Sequence, residues 1–143
     1  MTAALSANGR LTFSRSVVLP GVPEAAAMAR AVVAQALGPG HPATADAAVC
    51  VSELAANAVC HTRSGLPGGT FTVSVQAGRG VVRVAVADAG SASRPTARRA
   101  RRSAVHGRGL AIVAALSAAW GCERAGGGQI TWCEFPASEK AIA

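Results

Sequence analysis

The sequence predicts a two-layer α/β sandwich, with helices packed on one face of a mixed, mostly antiparallel sheet. Two Ala-rich segments with helical spacing occupy the first half of the chain, and two strand-like segments follow, the first alternating apolar and polar residues and the second less cleanly, joined by a short Gly-containing connection that makes a hairpin available. The chain has 143 residues, 50% of them hydrophobic, enough to enclose one sizeable core and too few to divide comfortably into two. We therefore expect one domain over residues 11–137, with flexible termini at 1–10 and 138–143.

Each element has its own signal. Leu11 to Leu19 mixes β-branched and polar residues and stops at Pro20-Gly21, which reads as an edge strand and a turn. Pro23 stands where a first-turn proline would, ahead of a helix from Glu24 to Leu37 that Gly38-Pro39-Gly40 closes. Thr44 can cap a second helix running to about His61, with Asp46 in its first turn favouring the positive end of the helix dipole. Arg63 to Gly69 is a loop. Thr70 to Gln76 alternates Phe71, Val73 and Val75 against polar residues, and Val81 to Ala87 follows through Ala77-Gly78-Arg79-Gly80. Ala89 to His106 is polar, basic and interrupted by Pro95, a long mobile loop. Leu110 to Ala119 resumes helical spacing and ends at Gly121, and Gln129 to Phe135 is the final strand. Val, Leu, Ile and Ala should fill the core, with Trp120, Trp132 and Phe71 as the large pieces.

Composition narrows the function classes. No apolar run approaches the roughly 20 residues that a membrane-spanning helix needs. Met1 to Arg10 lacks the basic-then-apolar layout of a secretory signal, so a cytoplasmic location is expected. Cys50, Cys60, Cys122 and Cys133 form no Cys-x-x-Cys pair and read as buried small residues. The net charge is +7, but Arg94, Arg98, Arg99, Arg101, Arg102 and Arg108 supply six of the fourteen bases, which leaves eight bases against seven acids elsewhere. A basic patch on one loop without stacking aromatics reads as a solvated segment, so no direct nucleic-acid partner is expected.

Three segments could carry chemistry. Glu53, Asn57 and His61 are spaced by four on the second helix and line one stripe beside apolar Val49, Cys50, Leu54 and Ala58. A magnesium ion on a triphosphate takes only one or two protein oxygens, and the Asn57 amide oxygen suits it, while Glu53 could accept a proton from an attacking hydroxyl or water. Asp88 ends a strand beside Ala89-Gly90, where a carboxylate can accept a hydrogen bond from an adenine amino group. Gly107-Arg108-Gly109-Leu110 opens a helix and offers backbone N–H groups to phosphate, although no Gly-Lys-Ser/Thr P-loop occurs in the chain. Two unit charges about 4 Å apart interact by roughly 4 kcal/mol at an effective dielectric of 20, so Glu53 tolerates phosphates only with an intervening cation.

Taken together, Ser52-Glu53-Leu54-Ala55-Ala56-Asn57-Ala58-Val59-Cys60-His61, Asp88-Ala89-Gly90, Gly107-Arg108-Gly109-Leu110-Ala111-Ile112-Val113 and Trp120-Gly121 resemble the GHKL (Bergerat-fold) ATPases. Within these, the likeness is to the bacterial anti-sigma-factor serine kinases, and the order and spacing match from about Phe13 to Phe135. The resemblance implies Mg2+ on Asn57, a general base at Glu53, adenine recognised by Asp88 with Gly90 beside it, and Thr131 near adenine. Gly107, Arg108, Gly109 and Leu110 would close on the phosphates, and the Arg-rich segment before them would be the ATP lid. It further implies a serine/threonine protein kinase that phosphorylates an anti-anti-sigma (STAS-type) partner and binds a sigma factor. Similar proteins often pair through the sheet and first helix, so a homodimer is compatible with it. Ala92, where the larger superfamily often has a second glycine, and Cys60, where a basic or polar residue is common, depart from the pattern. A nucleotide-gated regulatory binding module without significant kinase turnover is the alternative.

Overall fold

The computed structural model describes residues 12–91 and 109–137. Five strands form one sheet in the order β1-β2-β3-β5-β4: β1 Phe13–Pro20, β2 Thr70–Gly78, β3 Val81–Asp88, β4 Ala119–Ala125 and β5 Gly128–Pro136. Every strand pairing is antiparallel among the described residues. Helices α1 (Ala25–Leu37) and α2 (Thr44–His61) precede a 3-10 turn at Arg63–Gly65, and a third helix, α3, occupies residues 109–116. The architecture is the expected α/β sandwich, with β1 as an edge strand.

The core follows from the two periodicities. Ala25, Ala29, Val32 and Val33 on α1, and Ala47, Cys50, Val51, Leu54, Ala55 and Ala58 on α2, are buried at three- and four-residue spacing. They meet the inward residues of the sheet: Phe71, Val73 and Val75 on β2, Val82, Val84 and Val86 on β3, and Cys133 and Phe135 on β5, with Val113 of α3 at the flank. The β2–β3 connection turns at Arg79 and Gly80, with φ of 52° and 75°, the two left-handed residues a tight hairpin requires.

Four expectations are corrected. Helical spacing suggested a helix to Ala119 and a stop at Gly121, but the helix ends at 116 and residues 119–125 form β4, which pairs with β5 through the turn at Gly126-Gly127. Thr44 does not cap α2: Ala43 occupies the cap position, and the Thr44 hydroxyl instead donates to the Gly38 carbonyl at 2.6 Å, tying the start of α2 to the end of α1. Trp120 is 39% exposed and Trp132 lies on the face of the sheet away from the helices, so of the three large pieces Phe71 is the one in the core. Of the cysteines, Cys50 and Cys133 are buried as expected, whereas Cys60 and Cys122 are exposed. The hydrogen bond to Cys50, and burial after it, hold the Cys133 thiol far above the ordinary range, so it stays neutral. The Arg-rich loop falls almost wholly at residues 92–108 and, like the termini, lies outside the described residues.

The face of the sheet away from the helices holds a buried ion pair. Arg83 donates from Nε (3.1 Å) and Nη2 (2.5 Å) to one carboxylate oxygen of Glu134, and its guanidinium lies 4.3 Å from the centroid of the Trp132 ring. Burial lowers the Arg83 pKa, opposed by the Glu134 charge. Gly121 provides the floor of this stack, since a Cβ there would lie 2.5 Å from Trp132 Cζ2. Arg83 is only 2% exposed, so removing its partner leaves a charge with nowhere to go. Glu134→Ala should therefore cost about 3 kcal/mol in denaturant unfolding, while the double variant Arg83→Met/Glu134→Leu recovers most of that loss.

Candidate functional site

The site is built from the flank of α2. Residues 50, 54 and 58 point into the core, and Glu53, Asn57 and His61 lie beside that stripe, where they are half-buried rather than solvated. Arg30 on α1 reaches across to donate to Ser52 Oγ at 2.9 Å, which anchors the neighbouring turn of the helix. Gly109, the first described residue of α3, is buried against the stripe: a Cβ there would lie 3.1 Å from Glu53 Oε2, 3.6 Å from Asn57 Nδ2 and 3.7 Å from Asn57 Oδ1. Two of the predicted segments thus converge, with the opening turn of α3 set against the carboxylate and the amide. Leu110 packs partly buried against the core. Gly107 and Arg108 lie outside the described residues.

The third segment is held by the chain that leaves α2. The Thr62 hydroxyl donates to the Ala58 carbonyl at 2.7 Å and accepts from Ser64 N–H at 3.0 Å, turning the backbone sharply after the helix. From that turn Ser64 Oγ accepts the Ala89 N–H at 2.9 Å, and Arg63 N–H donates to the Gly90 carbonyl at 2.8 Å. Asp88 Oδ1 accepts the Gly90 N–H at 2.7 Å, an Asx turn that orients the carboxylate. Gly90 is buried with φ of 80°, and a Cβ on it would lie 2.6 Å from the Gly127 carbonyl oxygen. Only glycine fits both requirements.

On β5, Thr131 is 9% exposed and faces the helices, paired across from Val86 on one side and Cys122 on the other, with Cys122 Sγ 3.5 Å from its hydroxyl. Gln129 pairs directly with Asp88 and shares its face. Sequence reading missed Gln129 and Ser64. The Thr62-x-Ser64 spacing is the turn signal that could have marked Ser64, whereas Gln129 could be found only from the strand register.

The donor set of the α2 stripe is one neutral amide oxygen and one carboxylate, both hard oxygen donors of the kind magnesium takes while keeping its own waters. The space over Gly109 that a Cβ would fill keeps the backbone close to them. These residues fit a magnesium-nucleotide complex. Among the described residues no group of three or more His, Cys, Asp and Glu could hold a metal ion. No helix among them is long and apolar enough to cross a membrane.

Comparison with known proteins agrees with this fold. The structure is similar to that of the RsbU and RsbW domains of Rv1364c from Mycobacterium tuberculosis, with a TM-score of 0.67 and 25% identity over 88% of this chain. The match covers 33% of that chain, so this chain corresponds to about a third of its length. No curated protein matches. The family described as "Histidine kinase-like ATPase domain" matches residues 19–134. The likeness to GHKL ATPases read from residues 52–61, 88–90 and 107–113 is thereby borne out, and the chain belongs to the histidine kinase-like ATPase domain family.

Proposed function

We propose that the chain is an anti-sigma factor and serine/threonine protein kinase, which binds ATP with Mg2+ and phosphorylates a serine on an anti-anti-sigma partner. The observation that carries this reading is the convergence of Glu53 Oε2 and the Asn57 amide on the backbone of Gly109, at the start of α3. Nucleotide binding alone would need the amide and the helix N-terminus. A carboxylate one turn before the amide is an added group, and it stands where it could accept a proton from an attacking hydroxyl.

In this reading Asn57 supplies a ligand to the ion and Asp88 takes the adenine amino group. Gly107 to Leu110 present backbone N–H groups to the phosphates, and Thr131 lies beside the base. Bound magnesium would neutralise phosphate charge and let Glu53 stand close to it. Glu53 accepts the proton of the serine hydroxyl as the oxygen attacks the γ-phosphorus; the bond to the β-bridging oxygen breaks, giving phosphoserine and ADP. A partner protein bearing that serine, and a sigma factor as second ligand, are supported by the resemblance to anti-sigma kinases and by the likeness to a chain with an RsbW domain.

Calorimetric titration in the presence of magnesium should show Asn57→Ala losing ATP affinity by at least about tenfold, the effect of one lost ion contact of 1.4 kcal/mol or more. Equal affinity in the two proteins would overturn the nucleotide site. Glu53→Gln should bind ATP as wild type does yet transfer labelled phosphate to a serine-bearing partner at least about a hundredfold more slowly, the usual scale for a general base. Full transfer in that variant removes the base role, and ATP binding without transfer by the wild type would favour a nucleotide-gated module. In Gly109→Ala the added methyl should crowd the Glu53 carboxylate and fill the space beside Asn57 where the nucleotide complex would sit. It should raise the ATP Kd with little change in melting temperature.

A further inference from the structure

Asp88 and Gln129 are direct partners across β3 and β5, so their side chains leave the same face of the sheet, with Cβ atoms about 5 Å apart. That face is the one the helices cover, because residues 82, 84 and 86 on β3 and residues 131, 133 and 135 on β5 are buried on it. The strands are clamped at this point. A Cβ on Gly128 would lie 2.1 Å from the Asp88 carbonyl oxygen, and the Gly90 N–H holds Asp88 Oδ1 from the other side. Gln129 is half-buried there rather than waving in solvent.

A carboxylate is an acceptor only. Beside a purine it takes a hydrogen from an exocyclic amino group or from a ring N–H, and adenine and guanine each offer one, so Asp88 alone reads one point of the base. The neighbouring atom on the Watson–Crick edge carries the remaining information: adenine N1 is an acceptor, and guanine N1 bears a hydrogen. A primary amide beside the carboxylate supplies the missing donor. We propose that Gln129, the cross-strand partner of Asp88, is a specificity-determining residue whose amide N–H donates to adenine N1 while Asp88 accepts from the 6-amino group. This rests on the nucleotide-binding reading and adds to it a second point of base recognition.

Titration of ATP and of 1-deaza-ATP, which keeps the 6-amino group but has carbon in place of N1, onto wild type and Gln129→Met tests the pair. Wild type should bind 1-deaza-ATP about tenfold more weakly than ATP, the value of one net hydrogen bond. Gln129→Met, shown to be folded by an unchanged melting temperature, should lose a similar factor for ATP and bind the two nucleotides equally. If wild type does not distinguish them, or if Gln129→Met distinguishes them as wild type does, the base-reading role is overturned and the nucleotide site stands. The wild-type comparison needs no variant to fold. Wild type binding neither nucleotide overturns both.

Discussion

The chain leaves β3 through a gap between two other backbones, and the spacing of the whole candidate site depends on how that gap is closed. On one side Ser64 and Arg63 bond to residues 89 and 90. On the other, the Gly127 carbonyl leaves no room for a side chain on residue 90, and the Asp88 carbonyl leaves none for one on residue 128. The end of α2, the end of β3 and the start of β5 are therefore one joined unit. Since Glu53 and Asn57 ride on α2 and Asp88 on β3, the same contacts fix the distance between the groups suited to phosphate and the group suited to a base. Preorganisation of this kind comes from backbone contacts, which hold position better than long side chains do.

Helix α2 has two tasks that its periodicity separates. One stripe of small and branched residues is wholly buried against the sheet, and the adjacent stripe is polar and half-buried. Polar groups at such a boundary stay partly hydrated, so they can be kept ready for a ligand without the full cost of burying them. The far face of the sheet bears the opposite arrangement. There Arg83 and Glu134 are buried, bonded to each other and covered by Trp132 on the floor of Gly121, a stack on the face turned away from the candidate site. The Trp120-Gly121 pair, part of the motif set read from sequence, thus has a structural explanation in its second residue.

Much of the architecture was legible because helices α1 and α2 and strand β2 each bury a face with a clean period, while β3, less regular because Arg83 is buried too, follows β2 through a short turn. Strand β4 was not. Residues 119–125 contain no β-branched residue and follow directly on the Ala-rich run of α3, so no local pattern marks them as a strand. They become a strand because the Gly126-Gly127 turn folds them back onto β5, whose other edge is already occupied by β3. Thr44 shows the same limit on a smaller scale: its hydroxyl had a capping role by type, but the nearby end of α1 offered it a carbonyl instead.

The residue types of the site, their order, and the stripe that places Glu53 and Asn57 side by side were determined by sequence alone, since the α-helical repeat makes neighbours of residues four apart. That Gly109, more than fifty positions later, closes on this stripe was decided by tertiary packing, as was the pairing of Asp88 with Gln129. Strand register is set by long-range hydrogen bonds and by which face must be buried, and no local pattern encodes it. The chemistry could be read along the chain, but the partner of Asp88 across the sheet could be read only from the fold.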